Sequence, residues 1–185
     1  MNSHKLSRVA VDYLDRFYDI HENMKEDLSR VDSDLTAGCQ FVCQSMIMNA
    51  AVGENAKNIL RFTTYLPIES FALIAEDESR AYSKAVSEVE GFCEVDTNRQ
   101  NRLYGQSVNG LLARYSDSVC KIVEDNDINL DYIRRSITLD RAIARLCRSA
   151  LRFTDCEPVR PAINLLMSQS FGRIGRLENI YRRIK

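Results

Sequence analysis

Leu60-Arg61-Phe62-Thr63, followed by Pro67-Ile68, returns ninety-one residues later as Leu151-Arg152-Phe153-Thr154, followed by Pro158-Val159. The same offset pairs Tyr13 with Tyr104, Glu26 with Asp117, Arg30 with Lys121, Asp34 with Asp125, Ser45 with Ser136, Ala51 with Ala142 and Val52 with Ile143. Repeated spacing of apolar, charged and turn residues is the signature of an internal duplication, and it decides the fold before any local prediction. We therefore read two tandem units, residues 1–93 and 94–185, sharing one pseudo-symmetric bundle.

Each unit reads as three helices. Only three prolines and seven glycines interrupt 185 residues, and apolar residues recur at steps of three and four. In the first segment Ala10, Leu14, Phe17, His21, Met24, Leu28, Val31 and Leu35 form a seam of coiled-coil type. Ser33 or Asp34 caps a second helix running toward Thr63, with Gly53 as a candidate bend. Pro67 starts a third that ends near Gly91. Asp96 or Thr97 caps the fourth, which Asp125-Asn126-Asp127 ends. Asn129 opens the fifth, which stops around Thr154, and Pro158 starts the sixth. The expected fold is all-α: an elongated six-helix bundle of two three-helix repeats, self-associating as a homodimer.

Composition excludes several classes. At 45% apolar residues the chain can bury a core. Charges interleaved through Met1 to Asp19 do not make a signal peptide, and no apolar run reaches bilayer length. The expectation is a cytoplasmic protein without membrane insertion. Six cysteines lie scattered in helical segments, and we read them as reduced thiols. Cys39 and Cys43 share a helical face, but two thiols and two histidines do not make a zinc site. His21 lies on the apolar seam of the first segment, as a core histidine does, and His4 offers it no pairing for acid–base work. Glycine-rich phosphate loops, His-Glu-x-x-His and Ser/His/Asp sets are missing, so the chain reads as a non-enzyme with no catalytic residues.

Charge is divided unevenly. The net charge is −1, yet from Ile133 onward twelve Lys and Arg face four Asp and Glu. Eleven of the twelve cations are arginine, whose planar fork matches carboxylates and phosphates. On the fifth helix Leu139, Ile143, Leu146, Ala150 and Phe153 read as the core stripe. Arg141, Arg145, Arg148 and Arg152 follow on the opposite face, with Arg134 one turn pair earlier. These five form the candidate anion- or partner-binding surface. Its occupant is an acidic protein, a phosphate or a nucleic acid. The competing reading pairs the stripe with Asp12, Asp15, Asp19, Glu22, Glu26 and Asp27, in the same chain or a second subunit. A pI of about 6.2 and the lack of tryptophan weigh against nucleic acid.

Certain local motifs carry a family resemblance. Leu130-Asp131-Tyr132 and then Leu139-Asp140-Arg141-Ala142-Ile143-Ala144 are similar to the stretch ending Leu-Glu-Arg-Ile-Gly/Ala-Asp of the PhoU family of phosphate-uptake regulators. Gly53-Glu54-Asn55-Ala56 with Asn58-Ile59 is similar to its Gly-Asp-His-Ala-x-Asn-Ile, and Val95-Asp96 with Leu103-Tyr104 to the opening of its middle helix. The resemblance implies a regulator that touches a transporter ATPase or a sensor kinase. It also implies paired carboxylates four residues apart for a divalent metal cluster. Here those positions hold Asp140 with Ala144 and Asn49 with Gly53. One residue along they hold Arg141 with Arg145 and Ala50 with Glu54, so the metal pair is broken in both units.

Overall fold

Four long helices set the architecture of the computed structural model: α1 (Asp34–Leu60), α2 (Leu66–Glu90), α3 (Ile128–Phe153) and α4 (Arg160–Ile184). The structure describes residues 15, 16, 19, 20, 22–24, 26, 34–90, 106, 110, 128–157 and 159–184; those between 15 and 26, and 106 and 110, are helical as well. Among the described residues there is no strand, so the chain is all-α. Of the predicted first helix the seam residue Met24 is described and is fully buried. The other seam side chains, the caps at Asp96 and Thr97 and the stop at Asp125-Asn126-Asp127 lie outside the described residues.

Helices α1 and α2 form one hairpin and α3 and α4 another. The hairpins join through α1 against α3 and α2 against α4. Every neighbour in this ring runs antiparallel. Asn49 and Ser45 of α1 meet Ser79 and Tyr82 of α2, and Asp140 of α3 meets Arg173 of α4. Across α1 and α3, Asn55 meets Ser136 and Thr63 meets Asn129. The α2 core stripe, Ile68, Phe71, Ala75, Tyr82 and Val86, follows the three-to-four step of a one-sided helix. Most of α1 is buried instead, because it packs on α2 and α3 and its Gln44 Nε2 donates to the Met24 carbonyl. Helices of this length hold through such packing more than through intrinsic propensity.

The two connecting turns share three backbone hydrogen bonds and a threonine cap at an offset of ninety-one residues, although α1 ends at Leu60 and α3 runs on to Phe153. The Thr63 N–H donates to the Ile59 carbonyl and the Thr154 N–H to that of Ala150, both at 2.9 Å. The hydroxyl of Thr63 accepts the Tyr65 N–H at 3.2 Å, and that of Thr154 accepts the Cys156 N–H at 3.1 Å. Carbonyls of Tyr65 and Cys156 then take the N–H groups of Ile68 and Glu69, and of Val159 and Arg160. Even the neighbours correspond. Thr63 donates to Asn129 at 2.8 Å, while Thr154 lies against Gly38, which precedes Asn129 by ninety-one.

Several expectations need correction. Helix α4 begins at Arg160, two residues beyond Pro158, so Pro161 rather than Pro158 holds the second helical place that Pro67 holds in α2. Phe153 leaves the core stripe and is 40% exposed, because it is the last residue of α3 and the chain turns away there. Cys39 is disulfide-bonded, against the reading of six reduced thiols, whereas Cys147 and Cys156 are free. A pair that meets only in three dimensions leaves no spacing signature. Helix α1 runs unbroken through Gly53; a Cβ there would come within 2.9 Å of Ser79 Oγ, so the glycine serves close approach of α2.

Candidate functional site

Burial sorts the arginines of α3 and α4 into two groups. Arg141, Arg145, Arg148 and Arg152 are exposed and Arg134 is half-buried, so the predicted row lies on the outside of the bundle. It does so because Leu139, Ile143, Leu146 and Ala150 turn the other way into the core. Arg141 Nη2 is 3.3 Å from Glu178 Oε1. The guanidinium of Arg148 lies 5.2 Å over the exposed ring of Phe171, and that of Arg134 lies 6.0 Å over Tyr181. Among the described residues no ion pair holds Arg145 or Arg152. The positions ninety-one residues earlier on α1 are Ala50, Glu54, Lys57 and Arg61, where Glu54 and Lys57 neutralise one another at 2.7 Å. The α3 face is cationic throughout, and its counterpart is mixed.

Beside this face a groove of about 510 Å³ runs between α3 and α4, lined by Ile133, Arg134, Ile137, Thr138, Arg141, Glu178 and Tyr181. That volume lies in the range of ligand sites.

Sequence reasoning missed a second, buried polar group. Arg173 sits on the core stripe of α4 with Leu166, Ser170 and Leu177. Its Nη2 donates to Asp140 Oδ1 at 2.7 Å, its Nε reaches Oδ1 at 2.9 Å, and its Nη1 donates to Glu78 Oε2 of α2 at 3.0 Å. Arg176 reaches the other Glu78 oxygen at 2.9 Å. Burial holds the Asp140 carboxyl above its ordinary range although Arg173 pulls it down. For Arg173 the two acids outweigh burial and raise the guanidinium's pKa further. Nearby, Arg135 Nη1 donates to Asn55 Oδ1, and Asn55 Nδ2 donates to Ser136 Oγ at 2.8 Å. Three helices are thereby tied by charge and two by an amide. Polar residues falling in step with Leu166 and Leu177 were the sequence signal for Arg173.

This buried group has little room for chemistry. The cavity between Asn55, Tyr132, Ser136, Asp140 and Arg173 measures about 10 Å³, enough for about one water. The Asp140 oxygens are held by a guanidinium, and Asn49, its counterpart ninety-one residues earlier, donates to the Ser79 carbonyl at 2.8 Å. Among the described residues no three His, Cys, Asp or Glu side chains cluster as metal ligands. No described helix is long and apolar enough to cross a membrane. Compared with known protein families, with curated proteins and with solved structures, the chain has no match.

Proposed function

We propose that this chain is a non-enzymatic regulatory or adaptor protein, built of two three-helix units over residues 1–93 and 94–185, that binds an acidic protein partner through Arg134, Arg141, Arg145, Arg148 and Arg152. The observation that carries this reading is the contrast between α3, whose exposed row is all arginine, and the equivalent row on α1, where Ala50 is neutral and Glu54 offsets Lys57, leaving Arg61. A core helix needs an outward polar face, but it has no need for that face to carry one sign. The matched turns at residues 59–69 and 150–160 support the two-unit architecture. By its resemblance to phosphate-uptake regulators, the partner is a transporter ATPase or a sensor kinase, and the working compartment is the cytoplasm. Arginine–carboxylate contacts orient the partner, and salt weakens them.

A second reading is an anion or nucleic-acid module using the same row, favoured by the exposed rings of Phe153 and Phe171 beside Arg152 and Arg148. Affinity purification of the full chain from its own cells at low and high salt separates the two, with Arg145→Glu plus Arg148→Glu as control. The adaptor reading expects a stoichiometric protein that wild type retains at low salt and the variant loses. Nucleic acid in the eluate instead selects the second reading, and retention of neither overturns both.

A further inference from the structure

The arginine row and the α3–α4 groove are one surface. Ile133, Ile137 and Thr138 line the groove from α3 and Tyr181 from α4, while Arg134 and Arg141 stand at its α3 edge. Arg134, Arg141 and Arg148 recur every seven residues, and so do Thr138, Arg145 and Arg152. A seven-residue recurrence is the period at which one helix meets another lying along it, with charges flanking an apolar seam. From Arg134 to Arg152 the row extends about 27 Å at the helical rise, well past the groove. A small amphiphile would occupy the groove and leave most of the row unused.

We infer that this surface seats an acidic amphipathic helix of a partner protein, laid along α3 with its apolar stripe over Ile137, Thr138 and Tyr181 and its carboxylates spaced by sevens against the arginines. The inference rests on the adaptor reading above and names the partner's chemistry. Helix-in-groove recognition combines apolar anchors and flanking charge in this way. The groove's floor is mostly aliphatic, which suits the leucine and isoleucine side chains of an amphipathic helix better than stacked bases. The Arg141–Glu178 pair does not block the seat, since both side chains are about half exposed and such pairs exchange readily.

Fluorescence anisotropy of the full chain tests this with three labelled probes of matched charge: a designed amphipathic helix carrying leucines on one stripe and glutamates every seven residues, the same residues scrambled, and a single-stranded oligonucleotide. The expected result is binding of the amphipathic probe at least about tenfold tighter than of the other two, a margin typical of one buried anchor. Thr138→Trp, which fills the groove without changing charge, and Ile137→Asp, which spoils its floor, each weaken it by about the same factor. Thr138 is half-exposed, so its variant folds even if the Ile137 variant does not. Equal binding of all three probes, unmoved by Thr138→Trp but abolished by Arg145→Glu plus Arg148→Glu, would overturn the helix seat and leave an anion-binding face. No binding of any probe would overturn the seat and count against the arginine face itself.

Discussion

Arg173 of α4 and Asp140 of α3 are locked together out of water, with side chains 1% and 2% exposed and Nη2 2.7 Å from Oδ1. Their pairing does not by itself stabilise the fold, because removing two ions from water costs about what their attraction returns. Losing one partner is a different matter. Arg173→Met strands the Asp140 carboxylate in the core, and the expected loss is about 3–5 kcal/mol in urea unfolding. Asp140→Leu combined with Arg173→Met recovers most of it; a double variant no better than the single would refute this account.

The equivalent places in the first half hold a neutral solution to the same packing problem. Asn49 stands where Asp140 does and Tyr82 where Arg173 does, and the Tyr82 hydroxyl donates to Ser45 Oγ at 2.8 Å. Moving that pair across, as Asp140→Asn with Arg173→Tyr, is expected to cost under about 2 kcal/mol, because no buried charge is left without a partner. Glu78 is 19% exposed and keeps Arg176. Thermal unfolding of the two double variants side by side gives the comparison.

Gly38 lies where α1 crosses the second turn. A Cβ there would stand 3.0 Å from Thr154 Oγ1, 3.2 Å from Val159 Cγ2 and 3.3 Å from Cys156 Cβ, three atoms that cannot all yield. Gly38→Ala should therefore destabilise by about 1–3 kcal/mol despite alanine's better helix propensity. Gly175, with nothing within 4 Å, is the control, and Gly175→Ala should stabilise by about 0.5–1 kcal/mol. Equal responses at both sites would refute the crowding argument.

Removing the Thr63 or Thr154 hydroxyl should have matching effects. Each holds the N–H two residues on, and Thr63 also donates to Asn129. Thr63→Val and Thr154→Val are each expected to lose about 1–2 kcal/mol, the cost of stranding a turn donor. Hydrogen exchange at Tyr65 and Cys156 should speed up in the corresponding variant alone.

Alkali should unfold this protein through its buried acids. Burial pushes the Cys147 thiol from 9.0 up to about 12, and it raises the phenols of Tyr82 and Tyr132 as well. Above pH 9 the unfolded chain binds fewer protons than the folded one, so stability is complete below that pH and falls as pH rises toward 12. Each such group contributes a slope of about 1.4 kcal/mol per pH unit. Urea midpoints between pH 8 and 11 should fall, less steeply in Cys147→Ala; parallel slopes would show that Cys147 plays no part.

The all-helical class, the hairpin turns and the outward arginine row were legible in the linear chain, because each follows from a local rule. Leu60-Arg61-Phe62-Thr63 and its copy announce the turns. The steps of four, three and four through Arg141, Arg145, Arg148 and Arg152 fix one helical face whatever the neighbours are. Only the tertiary structure decided which polar residues go inside. Arg173 was one of the twelve cations counted from Ile133 onward, and only in the fold do Asp140 and Glu78 arrive from two other helices to neutralise it. Cys39 likewise finds a disulfide that no spacing predicts. Periodicity assigns a residue to a face of its own helix. What that face meets depends on how distant segments pack, and a buried charge survives only where they bring it a partner.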